Sequence, residues 1–184
     1  KAPTSKDGEG FSFVHSDADL ADAWRAADRG LGQGAVVERY IDFDFEVTIL
    51  AVRSIDPSTG ELATWFCEPI GTRHREGRLV ESWQPAPLPD AAMDNARSIA
   101  ARIVGALASC GIFSVEMFVS GDDVYFSQVT PRPSRDGLVT FVTQRINQFD
   151  LQARATQRLP IDSTLISPGA VRFLEGHPSQ AALA

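Results

Sequence analysis

Two side chains of this chain are polar where their surroundings are not. Glu116 lies in Ile-Phe-Ser-Val-Glu-Met-Phe-Val-Ser and Gln128 in Val-Tyr-Phe-Ser-Gln-Val-Thr, on either side of Gly121-Asp122-Asp123. Alternating apolar residues broken by Gly and Asp predict a β-hairpin. A three-residue loop sets Glu116 opposite Gln128 on one face, with Cβ atoms roughly 5 Å apart. A two-residue loop slips the register by one and sends them to opposite faces. As facing neighbours they form a pair of oxygen ligands for a hard cation, with Arg132 just beyond them. The competing reading is two polar residues on the solvated face of an edge hairpin, and the pattern leaves both open.

Two more acids stand in apolar company: Glu38 after two valines, and Glu46 between Phe45 and Val47. A carboxylate in such a strand is costly unless it is paired or faces a polar ligand. The opening stretch, Lys1 to Gly10, is a polar loop punctuated by glycine. Its backbone N–H groups could wrap phosphates, although an ordinary turn has the same composition. The histidines His15, His74 and His177 have no plausible triad partners, so no side-chain nucleophile is evident.

The elements that must position these residues follow from periodicity. Short strands are expected at Phe11–Val14 and Ala35–Tyr40, with a helix from Ser16 to about Asp28 between them, stopped by Gly30. Longer strands are expected at Asp44–Ile55, Glu61–Ile70 and Leu79–Gln84, with Gly71–Gly77 as a charged connection. Joined by short turns, they form an antiparallel meander. Met93, Ala96, Ala100, Ile103 and Leu107 recur at helical spacing, which predicts a helix from Asp90 to about Cys110 with Gly111 as its C′ residue. After the hairpin come two helices, Val139–Ile146 and Phe149–Arg158, and a last strand, Ala170–Leu174. The fold class is α+β.

A chain of 184 residues with 43% hydrophobic and 22% charged residues is a foldable globular unit. A net charge of −7 argues against a nucleic-acid surface. Two cysteines, Cys67 and Cys110, make neither a disulfide framework nor a metal spacing, so a reduced, cytoplasmic setting is expected. Neither a signal peptide nor an apolar run near 18 residues is present, so no membrane partner is expected. The chain opens on Lys1 rather than Met and reads as a piece of something longer.

Several stretches together resemble one family. Phe-Asp-Phe-Glu (43–46), Glu-Ser-Trp-Gln-Pro (81–85), Val-Glu-Met-Phe-Val (115–119) and Phe-Ser-Gln-Val-Thr-Pro-Arg-Pro (126–133) are similar to the formate-dependent glycinamide ribonucleotide transformylases of the ATP-grasp superfamily. The likeness runs from Lys1 to about Leu174. It implies an ATP-grasp fold, a small lid sheet and a larger antiparallel sheet flanked by helices, with ATP between them. The implied organisation is a partial lid subdomain at 1–40, a nucleotide- and metal-binding subdomain at 41–174 and a tail at 175–184. The family's N-terminal substrate domain and C-terminal lobe are expected to be absent from this chain.

The resemblance also implies roles. Lys1 matches the lysine that touches adenine and the α-phosphate, Glu38 to Ile41 the hinge that reads the adenine edge, and Glu46 the ribose-binding glutamate. Ser5, Lys6, Gly8 and Gly10 fall in the phosphate loop, and Glu116 matches the first Mg²⁺-binding glutamate. Gln128 stands where the family has a second one; its amide oxygen still coordinates but brings no charge. Gly8-Glu9-Gly10 replaces Gly-Lys-Gly. Ser134-Arg135-Asp136-Gly137 replaces His-Asp-Thr-Gly, so Arg135 and Asp136 are the implied substrate-binding residues, with Arg132 neutralising charge during transfer. The implied cofactors are ATP and Mg²⁺, the implied substrates formate and glycinamide ribonucleotide, and the implied assembly a homodimer. The implied reaction forms an acyl phosphate from ATP and a carboxylate, which an amine captures. The departures leave two alternatives: an ATP-grasp ligase with another carboxylate and amine, or a degenerate paralogue serving as a nucleotide-binding or assembly module.

Overall fold

The computed structural model describes residues 1–3, 10–75, 77–107 and 109–174. These divide into two compact units, Lys1–Ile41 with His74–Arg78, and Asp42–Arg73 with the chain from Leu79 onward.

In the first unit a capping box at Ser16 starts a 3₁₀ turn, where Asp19 accepts from the Ser16 amide at 3.0 Å. It leads into α1, Leu20–Asp28, closed by Arg29 in the left-handed region. Phe11–Val14 and Ala35–Tyr40 are not strands. Alternation stabilises a strand only when one set of side chains is buried, and Phe11, Phe13, Val14, Val36, Val37 and Tyr40 are all exposed. Phe13 instead packs edge-on against Phe11 and Tyr40.

The second unit is built on β1, Phe45–Ile55, buried through most of its length. On one side it pairs antiparallel with β5, Gly111–Ser120. On the other its C-terminal half pairs with β2, Leu62–Phe66, and its N-terminal half with β3, Ile70–Arg75. The expected single strand Glu61–Ile70 is therefore interrupted at residues 67–69, where Pro69 has no N–H to donate to a ladder. The expected connection at Gly71–Gly77 is largely strand, because its charged residues Arg73, His74 and Arg75 are exposed rather than unfoldable. With β4 (Arg78–Gln84), β6 (Asp123–Thr130) and β7 (Gly169–Arg172) the sheet order is β6-β5-β1-β3-β4-β7, with β2 beside β1.

Helix α2, Asp90–Leu107, covers one face. Ala92, Ala96, Ala100 and Val104 form a ridge of small side chains against Val47, Ile49, Ala51, Phe113, Val115, Met117 and Val119. The other face is covered only in part. Leu50, Val52 and Ile112 pack with Leu151 and Ala155 of α4, Gln148–Thr156, and with Val139. A 3₁₀ turn, Asp136–Val139, and a single helical turn, α3 (Thr140–Thr143), precede α4, so the expected helices are present but shorter. Helix α2 ends before Gly111, which opens β5 at φ +147° instead of capping the helix. Among the described residues no helix is long and apolar enough to cross a membrane.

Candidate functional site

The hairpin brings Glu116 opposite Gln128, as expected, but by a different route. The loop is the two-residue form, with Ser120 paired to Asp123, and that register alone would carry Gln128 to the other face. A β-bulge between Glu116 and Met117 leaves Ser127 unmatched and restores the pairing. Gln128 Nε2 then donates to Glu116 Oε2 at 2.7 Å. Glu116 is half-buried and Gln128 exposed.

Directly opposite Glu116 on its other side is Thr48 of β1, so Thr48, Glu116 and Gln128 form one polar row across three strands. The alternation that places Thr48 on this face places Glu46 there too, opposite Phe118, whose ring stacks on Phe43 at 4.5 Å. Thr48 is fully buried, and its Oγ1 donates to Asp136 Oδ2 at 2.9 Å. Asp136 is itself buried, whereas its neighbour Arg135 is exposed. The Arg135 guanidinium leaves this face and lies over the Phe173 ring, 4.9 Å from its centroid. Arg132 is exposed and folds back to donate to the Pro133 carbonyl at 2.9 Å.

In the first unit Lys1 Nζ pairs with Glu38 Oε2 at 2.6 Å. The backbones of Lys1 and Val36 also bond, with Val36 N–H donating to the Lys1 carbonyl at 2.8 Å. Gly10 accepts from the Ala2 amide at 3.2 Å, and Ile41 is half-buried. Ser5, Lys6, Gly8 and Glu9 lie outside the described residues. The structure therefore brings together Lys1 with Glu38, and Glu46 with Glu116, Gln128 and, through Thr48, Asp136. Arg135 is placed against Phe173 instead.

The donor set suits a hard cation in one specific way. Mg²⁺ keeps several waters and takes one or two carboxylates together with phosphate oxygens. Glu116 supplies one carboxylate, and Gln128 supplies an amide oxygen if its side chain turns over. Among the described residues no group of three or more His, Cys, Asp or Glu is arranged to hold a metal by itself. Such a site would need an anionic ligand to complete it.

Comparison with known proteins places the chain in a family. Residues 1–149 match the ATP-grasp domain model. The chain belongs to the ATP-grasp family. A formate-dependent phosphoribosylglycinamide formyltransferase of Corynebacterium jeikeium is 58% identical over 173 residues, covering 92% of this chain and 42% of that protein. The solved structure of a glycinamide-RNase-transformylase T from Mycobacterium tuberculosis superposes with a TM-score of 0.71 at 46% identity, over 80% of this chain and 45% of that one. An ADP complex of an N5-carboxyaminoimidazole ribonucleotide synthetase gives a TM-score of 0.78 at 27% identity, covering 91% and 43%. The chain thus spans less than half the length of the curated relatives it matches. The α+β ATP-grasp fold is as the motifs implied.

Thr48, which joins the row to Asp136, was not legible as part of the site, being neutral and completely buried. The signal available for Thr48 was its place two residues from Glu46 among the apolar residues Phe45 to Val52, the same anomaly that marked the acids.

Proposed function

We propose that this ATP-grasp domain is the nucleotide-binding and carboxylate-activating part of a formate-dependent phosphoribosylglycinamide formyltransferase. The observation that carries the reading is the polar row Thr48–Glu116–Gln128, with Glu46 on the same face, running from buried Thr48 through half-buried Glu116 to exposed Gln128. In the first unit Lys1, oriented by Glu38, is read as serving the adenine and α-phosphate, with Ile41 at the hinge and Gly10 closing the phosphate loop. In the second, Glu46 takes the ribose hydroxyls through two carboxylate oxygens, and Glu116 with Gln128 holds Mg²⁺. When bound, Mg²⁺ neutralises phosphate charge and orients the transferred group.

ATP phosphorylates formate to a formyl phosphate, and the amine of glycinamide ribonucleotide displaces phosphate from it. The chain's share of this chemistry is positioning and charge neutralisation. Arg132, freed from the Pro133 carbonyl, meets the anionic transfer state, and Asp136 orients the substrate end through its bond to Thr48. The division into lid and nucleotide-binding subdomains near residue 40, the homodimer and the cytoplasmic setting belong to the same proposal.

The test is thermal unfolding with Mg·ATP followed by ADP release with formate. A ligand at 100 times its Kd stabilises by about 2.7 kcal/mol. We expect stabilisation at millimolar Mg·ATP that shrinks in Glu116→Ala, and ADP release that requires formate. No shift at millimolar nucleotide would sink nucleotide binding. Two observations favour alternatives. The Gln128 amide already satisfies Glu116 without a metal, which suits a binding or assembly module; Mg·ATP binding with no ADP release under any carboxylate identifies it. The placement of Arg135 over Phe173 suits a ligase with a different carboxylate and amine, which would release ADP with another acid but not with formate.

A further inference from the structure

The segment after β6 carries Arg132, Ser134, Arg135 and Asp136, yet none of residues 131–135 is in a helix or strand. One buried side chain from another element fixes it. Gln148, at the start of α4, is fully buried, and its amide makes two opposed hydrogen bonds to one residue. The Ser134 N–H donates to Gln148 Oε1 at 3.1 Å, and Gln148 Nε2 donates to the Ser134 carbonyl at 2.8 Å. This matches the donor and acceptor of one residue in the way a β-ladder does.

A second tie runs through the backbone. Gln148 N–H donates to Thr140 Oγ1 at 3.0 Å, and Thr140 Oγ1 donates to the Gly137 carbonyl at 2.6 Å. The Ser134 end of the segment is thus bound to the Gln148 side chain, and the Gly137 end is linked to the Gln148 backbone through Thr140. Gly137 makes room for the amide, since a Cβ there would fall 2.2 Å from Gln148 Oε1. The clamped segment meets the sheet through Ser134 Oγ, 2.9 Å from Ser114 Oγ, and Ser114 sits on the same face two residues before Glu116.

We infer that Gln148 is a positioning residue that sets Arg132 and Asp136 relative to Glu116 while touching neither nucleotide nor substrate. The inference rests on the reading of the site proposed above. The side chain must be an amide: a carboxylate of the same shape keeps the acceptor for Ser134 N–H but offers no donor to the Ser134 carbonyl. That carbonyl would then lie buried against a negative charge.

The experiment uses the whole protein with two variants, Gln148→Glu and Gly137→Ala. The first removes the donor, and the second pushes the amide off its seat from the opposite side without backbone strain, since Gly137 is not left-handed. Three quantities are read: the KM for ATP, kcat, and backbone amide exchange over residues 132–137. In both variants we expect KM for ATP within about threefold of the parent and kcat lower by about 100-fold, the size of effect a misplacement near 1 Å produces. Exchange at Ser134 should rise at least about tenfold while β5 stays protected. Parental kcat and Ser134 exchange in a folded Gln148→Glu or Gly137→Ala protein overturn the inference. Loss of protection throughout β5 in both variants also overturns it, because Gln148 then supports the fold rather than the segment. A parent protein that neither binds Mg·ATP nor turns over defeats the functional reading instead, and the exchange arm still decides whether the clamp exists.

Discussion

The two faces of β5 are made differently although their residues alternate one by one. Phe113, Val115, Met117 and Val119 meet the alanine ridge of α2 and are buried without a polar atom among their side chains. Ile112, Ser114, Glu116 and Phe118 point the other way and pass from the apolar cluster beneath α4, through a hydroxyl bonded to the 134 segment, to a carboxylate and then an aromatic ring. Stability and chemistry are thereby assigned to alternate positions of one strand. A polar side chain is tolerated beside core residues because the pleat turns it toward a face that is open or hydrogen-bonded.

That division can be broken from either side, and the larger effect lies on the closed face. Truncating Phe113→Ala should destabilise the fold by about 3–5 kcal/mol, since α2 cannot collapse into the space. Affinity for Mg·ATP per folded molecule should change by less than about threefold. Chemical denaturation and nucleotide titration measure the two separately, and a loss below about 1 kcal/mol would mean that this face is not what holds the sheet. Glu116→Ala should do the reverse. Unfolding without nucleotide should shift by less than about 1 kcal/mol, whereas loss of a charged contact of about 1.5–3 kcal/mol weakens Mg·ATP by about 10- to 150-fold.

Much of the closed face was legible in sequence. The α2 stripe and the apolar alternation of β1 and β5 are local patterns, and burial is what makes such patterns. The Glu116–Gln128 pairing was legible only conditionally. Loop length alone gives the wrong face, and the bulge at Ser127 that corrects it has no Gly or Pro to announce it. The apolar runs at Phe11–Val14 and Ala35–Tyr40 misled because nothing in a sequence says whether a face will be covered. The Gln148 clamp escaped notice because its partners are backbone groups fourteen residues away, and glutamine near a helix start is otherwise unremarked.

Gln128→Glu sharpens the comparison by altering only the open end. With no metal, two carboxylates directly opposite on the sheet repel, and the loss of the 2.7 Å amide contact adds to this. The protein should unfold earlier by about 0.2–1 kcal/mol. Added Mg²⁺ with ATP should reverse the deficit and bind about tenfold more tightly than in the parent, because a second charge joins the donor set. Calorimetric titration of Mg·ATP into both proteins checks this. Equal affinities would place the cation elsewhere.

A last effect, confined to alkaline pH, probes the covered half of the same face. Cys67 is buried in the cluster beneath α4 with Leu50, Ile70 and Leu151. Burial pushes its thiol up from the ordinary 9.0 to about 11, with its Sγ 3.7 Å from Gln144 Oε1. The folded state therefore resists forming the thiolate, while the unfolded chain forms it freely above pH 9. Stability from this residue is fully present below pH 9, falls between pH 9 and 11, and levels off beyond. The total loss is at most about 3 kcal/mol across a window of two pH units. Denaturation midpoints at pH 8, 9, 10 and 10.5 should decline more steeply in the parent than in Cys67→Ala, whose lower starting stability is otherwise insensitive to this titration. Parallel slopes would mean that water reaches the thiol and that the covered half of the face is as open as the half carrying Glu116.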